Sequence, residues 1–525
     1  MAFWLKKIIS VGVVLGVAVW SVWPVIVNPS RVADFGSDGW FINWVINRQV
    51  KIITGCIRIP GECKNTLFQG NIYYPNRDVL AYSDLHGLDA IEGIIPVILS
   101  KNPGVASGWA MALGQIATMI IIYKIWVEFF GNKWGATVGA VAFGLSQIRW
   151  EYQVHLHTWT MQWWLVGLWF MFSWLKGGRW WKGLMGAVLL GLQAWESILP
   201  VYFAATVVAI YVILNFKPAY RTGRSLILNK HVVLNFLVFI FVAGGVMWPV
   251  VGVYSRVARE NGFVRTIRDA ANGGMSVDDL WGKFYSPGLF VLFGVALLKL
   301  IIPHSNPSPK FSPADRGFAV GEGNYRWLLA VVVVGLVMAM GPVLKWQGRT
   351  VKIAGKYPVP LPYAAAYYVV PGWGAFRTPS RWIWLAGWAG SGIVALALSR
   401  YQARNIFGVL GALVVAVIGG THLTKYVNLP GEKDLPKVYR WLTTRPERVI
   451  GELPVGGDER ESVRMYYSWW HGKDLVGGLT GFAPITRGRP ELIVMHKLER
   501  ASGGCGEIAG RMIYEDEESA VYRFW

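Results

Sequence analysis

The sequence predicts an all-α polytopic membrane bundle of about eleven transmembrane helices, followed by a small C-terminal α/β domain. Three observations lead to this prediction. The chain of 525 residues is 54% hydrophobic and only 16% charged, whereas a soluble domain typically carries about 25% charged residues. Its apolar residues gather in runs of span length, and its basic residues collect between alternate runs. These features exclude a soluble enzyme with an ordinary hydrophobic core.

Each predicted span is an apolar run of about 17–25 residues, the length that crosses the hydrocarbon core of a bilayer. The first run, near 8–27, is long for a signal peptide and lacks a small-residue cleavage site, so we interpret it as a retained helix. A polar first loop, 28–103, follows and contains amphipathic stretches that we expect to be helical. The remaining runs complete a transmembrane domain that covers residues 1–423. They lie near 104–127, 134–149, 158–175, 182–198, 200–216, 232–254, 287–303, 326–344, 382–399 and 405–423.

Basic residues set the orientation of the bundle, because cytoplasmic loops are enriched in lysine and arginine. Lys6 and Lys7 place the N-terminus in the cytoplasm, and every second loop after them is basic as well. We therefore expect a multi-pass protein of the cell membrane, with the first loop and the C-terminal tail outside. The basic groups of the cytoplasmic loops are Lys124 with Lys133, Lys176 with Arg179 and Lys182, Lys217 with Arg221, Arg224 and Lys230, Lys310 with Arg316, and Arg400 with Arg404.

The tail, residues 424–525, contains no apolar run long enough to span a bilayer. Its short apolar runs, among them 449–455 and 520–525, alternate with clusters of glycine, aspartate and arginine. Residues 435–443 have the composition of a short helix. This pattern predicts a small extracytoplasmic α/β domain on the outer face of the membrane.

The chain carries 51 lysine and arginine residues against 31 acidic ones, a net charge of +20. This excess lies largely in short loops beside the apolar runs, where anionic lipid headgroups attract it. We therefore expect the lipid bilayer as a partner and no nucleic acid.

Two of the three cysteines, Cys56 and Cys63, lie close together in the first loop. Outside the cytoplasm such a pair is expected to form a small disulfide, and two free thiols are the alternative. The spacing lacks a second Cys/His pair, so it does not indicate a zinc site.

Polar clusters at the span ends are the candidates for function, because a charge among lipid tails costs roughly 2.5–3.5 kcal/mol. Carboxylates can accept a proton from an attacking hydroxyl, and guanidinium or imidazole groups can neutralise a phosphate leaving group. Carboxylates combined with guanidinium and imidazole groups are typical of a site for group transfer. The candidates are Asp34 and Asp38 after the first span, Asp84 and His86 with Asp89 and Glu92 nearby in the first loop, His155 and His157 between spans three and four, Glu196 at the end of span five, and Arg377 and Arg381 entering span ten.

Each group of candidates also has a purely structural interpretation. Asp34 or Asp38 could act only as a helix cap. His155 and His157 could be solvated loop residues, and the two arginines could only anchor the chain to lipid headgroups.

Several short motifs resemble the GT-C superfamily of polytopic glycosyltransferases, which use polyprenyl-phosphate sugars. The likeness is strongest to a large prokaryotic group of membrane proteins within that superfamily, and it runs along nearly the whole chain. The motifs are SDGWFINW (37–44), NIYYPNRDVLAYSD (71–84), HLHTWTMQWW (155–164), VPGWGAFRTPSRW (370–382), VIGELPV (449–455) and MYYSWWHGKDLVGGLTGF (465–482).

The resemblance implies a role for each matching residue. Asp38, with Asp34 as the fallback, corresponds to the signature aspartate that acts as base or orients the acceptor. Asp84 corresponds to the second acidic position, which assists the first or helps to hold a divalent cation such as Mg²⁺ or Mn²⁺. His155, Arg377 and Arg381 would bind the phosphate leaving group, whereas His157 and Glu196 have no counterpart in the family pattern.

The implied function is an inverting transfer of a sugar from a polyprenyl-phosphate donor to an extracytoplasmic glycan, lipid or protein acceptor. Two alternatives remain, a non-catalytic protein of the same fold and a lipid or glycan flippase. Transporters often carry charges at mid-span near broken helices. Here the span centres are largely free of charge, which disfavours a flippase.

The charge alternation predicts that the C-terminus is extracytoplasmic. A reporter that is active only in the cytoplasm, fused after Trp525, should therefore remain silent. Fusion of the same reporter ahead of Lys6 is the control and should give a signal. A strong signal from the C-terminal fusion would contradict the predicted topology.

Overall fold

The computed structural model describes residues 2–33, 36–58, 67–215, 230–280, 287–301, 325–400, 406–418, 425–482, 484, 488–497 and 510–523. Two residues singled out from the sequence, Asp34 and Cys63, lie outside these ranges. Cys56, near the end of a described helix, is disulfide-bonded.

Every apolar run predicted to span the membrane contains a helix in the described part of the chain. The helices are, in order, α1 Ala2–Ser21, α2 Trp23–Val27, α3 Ser37–Arg58, α4 Gly87–Ser100, α5 Val105–Phe130, α6 Lys133–Gly144, α7 Gln147–Trp150, α8 Leu156–Trp159, α9 Gln162–Leu175, α10 Trp180–Leu192, α11 Leu199–Asn215, α12 Lys230–Asn261, α13 Ile267–Gly273, α14 Pro287–Ile301, α15 Arg326–Ala339, α16 Pro362–Val369, α17 Ile383–Arg400, α18 Ile406–Ile418, α19 Lys437–Thr443 and α20 Asp458–His471.

Three helical segments of the described chain are long and apolar enough to cross a membrane, namely Val105–Phe130, Val233–Asn261 and Pro379–Ser399. Shorter apolar helices accompany them, among them Leu199–Asn215 and Arg326–Ala339. These helices are those of a membrane protein, while the number of about eleven crossings stays a prediction.

Small residues let two of the bundle helices, α6 and α17, approach each other closely. A Cβ added to Gly135 would lie 2.6 Å from the carbonyl oxygen of Ala395, and one added to Gly139 would lie 2.7 Å from that of Ser391. Gly135 and Gly139 have the four-residue spacing that brings membrane helices together, since one helical face is left without side chains. Larger residues at either position would force the two backbones apart.

Tryptophan rings fill the core beside this glycine contact. The Trp388 ring lies 5.0 Å from that of Trp126, 6.2 Å from that of Trp327 and 6.4 Å from that of Trp164. The Trp126 indole N–H donates to the Ser391 hydroxyl at 3.1 Å. The indole N–H of a buried tryptophan usually has a hydrogen-bond partner, and this bond provides one for Trp126.

The first loop contributes two long helices, α3 and α4. Helix α4 buries Asp89 and Val97 but leaves one apolar face exposed. That face carries Ile91, Ile95 and Leu99, which recur at helical spacing and are more than half exposed. An exposed apolar stripe of this kind is typical of a helix that lies against the lipid at the membrane interface.

The tail forms a five-stranded mixed sheet. Its strands are, in order across the sheet, β10 Arg511–Glu515, β11 Ser519–Arg523, β9 Leu492–His496, β7 Val449–Leu453 and β8 Asp474–Leu475. Strand β7 pairs in parallel with β8 and β9, whereas β11 pairs antiparallel with β9 and β10. The other strands within the described ranges are β1 Arg31–Ala33, β2 Lys345–Trp346, β3 Arg349–Thr350, β4 Lys352–Ile353, β5 Tyr357–Pro358 and β6 Tyr426–Asn428.

The tail is joined to the first loop by backbone pairing and by packing. Strand β1 pairs antiparallel with β6, and the Leu475 N–H donates to the Asn71 carbonyl at 2.8 Å. Helix α20 packs on α3, where the Tyr466 ring meets the Trp40 ring edge-on at 5.2 Å. The tail therefore lies directly beside the start of α3.

A buried arginine stabilises the tail domain. Arg464 on α20 is 4% exposed, donates to Glu461 at 3.0 Å and to the Pro454 carbonyl at 2.9 Å, and lies 3.5 Å from the Glu452 carboxylate. Removing one partner of a buried ion pair costs about 3–5 kcal/mol, because a buried charge is left unpaired.

We predict that Arg464→Met lowers the apparent melting temperature of the full chain in detergent and exposes the tail to protease. The matched control is Arg448→Met, since the Arg448 side chain is 79% exposed and pairs with Asp474 at the surface. Exposed pairs contribute about 0–1 kcal/mol. Equal effects of the two substitutions would contradict the prediction.

Candidate active site

Two aspartate–histidine pairs lie side by side where the first loop meets the connection between α7 and α9. The Asp38 carboxylate, in the first turn of α3, is 3.8 Å from His155 Nδ1. The Asp84 carboxylate, which follows the 3-10 helix Val79–Tyr82, is 3.5 Å from His157 Nε2. The two imidazole rings are 5.8 Å apart. The structure thus brings together four residues from three separate sequence motifs.

These four side chains differ in their access to solvent. Asp38 is 47% exposed, Asp84 32% and His155 25%, whereas His157 is only 5% exposed. The Asp38–His155 pair can therefore meet a substrate, and His157 lies behind it as a buried support.

Aromatic packing holds the histidine connection in place. Trp159 is fully buried, and its indole N–H donates to the Met111 carbonyl at 2.9 Å. The Arg149 guanidinium lies 4.1 Å from the Trp159 ring centre, and the Trp150 ring packs on Trp159 from another side. Because the short helix α8 contains Trp159, this packing fixes the position of both histidines.

The two candidate arginines come from the segment that leads into α17. Arg381 lies close enough to Asp38, Asp84 and Tyr152 to interact with all three electrostatically, and Arg377 acts on Asp38 as well. The Tyr152 hydroxyl and the neighbouring Ser380 hydroxyl are 3.0 Å apart and hydrogen-bonded. This bond ties the arginine segment to the histidine connection.

A close backbone approach sets the position of Arg377. A Cβ on Gly273, at the end of α13, would collide with the carbonyl group of Arg377. Only glycine permits this contact, so the end of α13 and the arginine segment are seated on each other.

The pKa values of Asp38 and His155 are shifted in opposite directions. Burial raises the pKa of Asp38 above its usual value, and the two arginines oppose the rise without cancelling it. Burial, followed by the charge of Arg381, lowers the pKa of His155 to about 3. His155 is therefore neutral at pH 7, and the positive charge of the site comes from the two arginines.

The tail reaches the candidate site through its glycine-rich loop. A Cβ on Gly481 would lie 2.9 Å from the Tyr82 carbonyl, two residues before Asp84. Arg265 donates to the Gly481 carbonyl and lies 4.0 Å from the centre of the Phe482 ring, which stacks on Phe263. The tail therefore forms one wall beside Asp84.

His86 and Glu196 lie in a separate, buried cluster with Asp89. His86 Nδ1 is 3.0 Å from Glu196 Oε1 and 3.1 Å from Asp89 Oδ2, and all three side chains are at most 1% exposed. The His86 ring meets the His157 ring at 5.3 Å. The structure thus places His86 and Glu196, two of the candidates predicted from the sequence, behind the solvent-accessible Asp38–His155 pair.

The sequence alone assigned Asp89 no role. The signal that could have revealed it is its position three residues after His86, at the start of a helix, where the two side chains share one face. Tyr152 was also missed, because nothing in the sequence indicates its bond to Ser380.

Among the described residues, His86, Asp89 and Glu196 form the one group of three side chains able to hold a metal ion together. Asp38 and Asp84 each face a different histidine and do not belong to such a group. The divalent cation expected at Asp38 and Asp84 therefore stays a prediction.

No family model matches the chain. A segment of 78 residues, 15% of this chain, is 31% identical to the glycerol-3-phosphate acyltransferase of Geobacter sulfurreducens and covers 40% of that protein. Among solved structures, the cryo-EM structure of the arabinofuranosyltransferase AftD from Mycobacteria matches with a TM-score of 0.54 and 13% identity. That match covers 98% of this chain and 41% of AftD, so the chain spans about two fifths of the length of each of these proteins.

At this identity the likeness to AftD is a likeness of fold alone. It extends over nearly the whole chain, as the motif resemblance did. The chain therefore shares the fold of AftD, and this likeness of fold agrees with the motif resemblance.

Proposed function

We propose that the protein is a glycosyltransferase that moves a sugar from a polyprenyl-phosphate donor to an extracytoplasmic acceptor. The observation that carries the proposal is that a half-exposed carboxylate, Asp38, lies within electrostatic range of the guanidinium groups of Arg377 and Arg381. A proton acceptor and a phosphate-binding pair are the two parts that such a transfer needs at one place.

In this reaction Asp38 takes the proton from the acceptor hydroxyl. The freed oxygen attacks the anomeric carbon of the donor and forms the new glycosidic bond as the bond to the phosphate oxygen breaks. The electron pair of that bond leaves with the polyprenyl phosphate. A single displacement inverts the configuration at the anomeric carbon.

The side chains around Asp38 have supporting roles in the proposed reaction. A raised pKa makes Asp38 a stronger base than an ordinary aspartate, because proton transfer improves as the pKa approaches the working pH. Arg377 and Arg381 balance the negative charge of the departing phosphate. Neutral His155, which lies 3.8 Å from Asp38, would donate a hydrogen bond to the leaving phosphate, and Asp84 would assist Asp38 from the neighbouring pair.

The site lies, on the predicted topology, at the outer end of the bundle in the cell membrane. The exposed apolar stripe of α4 would meet the lipid there, where the polyprenyl chain of the donor also resides. The acceptor would be a glycan, a lipid or a protein outside the cytoplasm.

We predict that Asp38→Asn reduces donor turnover about 10²–10⁴-fold, the usual contribution of a general base. Proteoliposomes would be supplied with a panel of polyprenyl-phosphate pentoses and hexoses and an envelope lipid extract as acceptor. The measurement is the release of polyprenyl phosphate. Asp474→Asn, at the surface pair with Arg448 on the tail, is the control and should remain active.

Two results would overturn the proposal. The first is an Asp38→Asn protein that releases polyprenyl phosphate as fast as the wild type. The second is movement of the intact donor across the bilayer with no release by the wild type, which would indicate a flippase.

The pH profile offers an independent test of the Asp38–arginine contact. The positive charge of Arg377 lowers the pKa of Asp38, so Arg377→Gln should raise that pKa further. Because the base must be ionised, the acidic limb of kcat/KM should move to higher pH. Arg349→Gln, at an exposed position on β3, should leave the limb unchanged. If the acidic limb of the Arg377→Gln variant does not move, the group that titrates in that limb is not Asp38.

A further inference from the structure

We propose that His86, Asp89 and Glu196 bind a divalent metal ion of the Zn²⁺ type, which joins helix α4 to the connection between α10 and α11. The inference does not depend on the proposed glycosyl transfer, because this cluster lies apart from Asp38 and the arginines. It rests on the geometry of the three ligands and on the hydrogen-bond donors available to them.

The three ligand groups converge on one point. One ligand atom from each residue lies within 4.8 Å of the other two. His86 Nδ1 is 3.0 Å from Glu196 Oε1 and 3.1 Å from Asp89 Oδ2. Ligands of a tetrahedral Zn²⁺ site, at about 2.0–2.1 Å from the metal, are about 3.3 Å apart. Outward shifts of a few tenths of an ångström would therefore accommodate the ion.

The hydrogen bonds of the cluster leave two carboxylate oxygens without a donor. Glu196 Oε2 accepts from the backbone N–H groups of Leu88 and Asp89, at 3.1 and 3.0 Å. Glu196 Oε1 and Asp89 Oδ1 have no hydrogen-bond partner, although both side chains are fully buried. His86 Nδ1 can donate only one proton, while oxygens of both carboxylates face it.

Charge balance points to a dication. In the metal-bound state, two ionised carboxylates and a neutral imidazole would carry a charge of −2, which one divalent ion would neutralise. A buried charge without a partner costs several kcal/mol, and imidazole with carboxylate is a ligand set that Zn²⁺ accepts.

The backbone is shaped to bring the ligands together. A Cβ on Gly87 would lie 2.7 Å from the Trp195 carbonyl, so glycine at this position lets the connection between α10 and α11 approach the start of α4. The His86 N–H donates to the Glu196 carbonyl at 3.2 Å across the same contact. Glu196 is thereby anchored through its backbone and Oε2, which leaves Oε1 directed at His86.

The metal would act as a positioning group for the candidate active site. The His86 ring packs edge-on against His157, whose Nε2 lies 3.5 Å from Asp84. Fixing His86 on a metal would hold His157, and through it the Asp84 carboxylate.

Metal analysis of the full-length protein, purified in detergent without chelator, tests the proposal. We expect about one equivalent of Zn²⁺ per chain in the wild type and a loss of at least tenfold in Asp89→Asn and in Glu196→Gln. Glu92→Gln is the matched control on the same helix, because Glu92 lies outside the ligand group and contacts Gln162 instead. It should retain the ion.

A second measurement applies if the ligand variants fail to fold. The wild type is treated with chelator and titrated with Co²⁺, whose visible absorption reports nitrogen and oxygen ligands, and its melting temperature is recorded. We expect one saturable Co²⁺ site and a melting temperature that falls on chelation and recovers with Zn²⁺.

Three results would overturn the inference. The first is wild-type protein with no metal above background and no response to chelator, Zn²⁺ or Co²⁺. That result would mean that His86, Asp89 and Glu196 share a proton instead of binding a metal. The second is a bound ion that Asp89→Asn and Glu196→Gln both retain, which would place the metal elsewhere. The third is equal loss of the ion from the Glu92→Gln control.

Discussion

The cost of placing charge among lipid tails determines where chemistry can occur in this protein. Its helices pack through glycine faces and tryptophan rings, and Trp126, Trp327 and Trp388 are fully buried in that apolar core. Polar groups are therefore displaced to the connections between helices. Asp38, Asp84, His155 and Arg377 all lie in such connections or in the first turn of a helix. A site assembled in this way depends on how the connections are held against one another.

Specific polar contacts provide that support. The Tyr152–Ser380 bond joins the histidine connection to the arginine segment, and the backbone contact at Gly273 seats the arginine segment on the loop before it. The buried cluster around His86 ties the first loop to the connection after α10. The tail adds a further wall at Gly481. A substrate that enters would thus meet side chains whose backbones are already fixed, which lowers the cost of ordering them on binding.

The chemistry of the candidate site divides between its two layers. The accessible layer contains Asp38 with its neighbouring arginines, where proton transfer and phosphate binding can be combined. The buried layer contains His157 and the three-residue cluster behind it, where burial keeps His157 neutral and leaves carboxylate oxygens without donors. The two layers meet at the contact between the His86 and His157 rings. Separate tests of transfer and of metal content can therefore distinguish catalysis from positioning.

The sequence by itself determined the membrane class, the positions of the helices and the residue types of the site, because hydrophobic run length and the cost of charge act locally along the chain. The resemblance of its motifs to a known superfamily also allowed the fold to be predicted. Only the tertiary structure decided which residues meet. It paired Asp38 with His155 rather than with Asp84, and it placed His86 and Glu196 with Asp89 in a buried cluster. The Asp38–His155 and His86–Glu196 contacts join segments more than a hundred residues apart, and no local property of the sequence specifies them. Long-range packing, at glycines 87 and 273 in particular, brings these residues into contact.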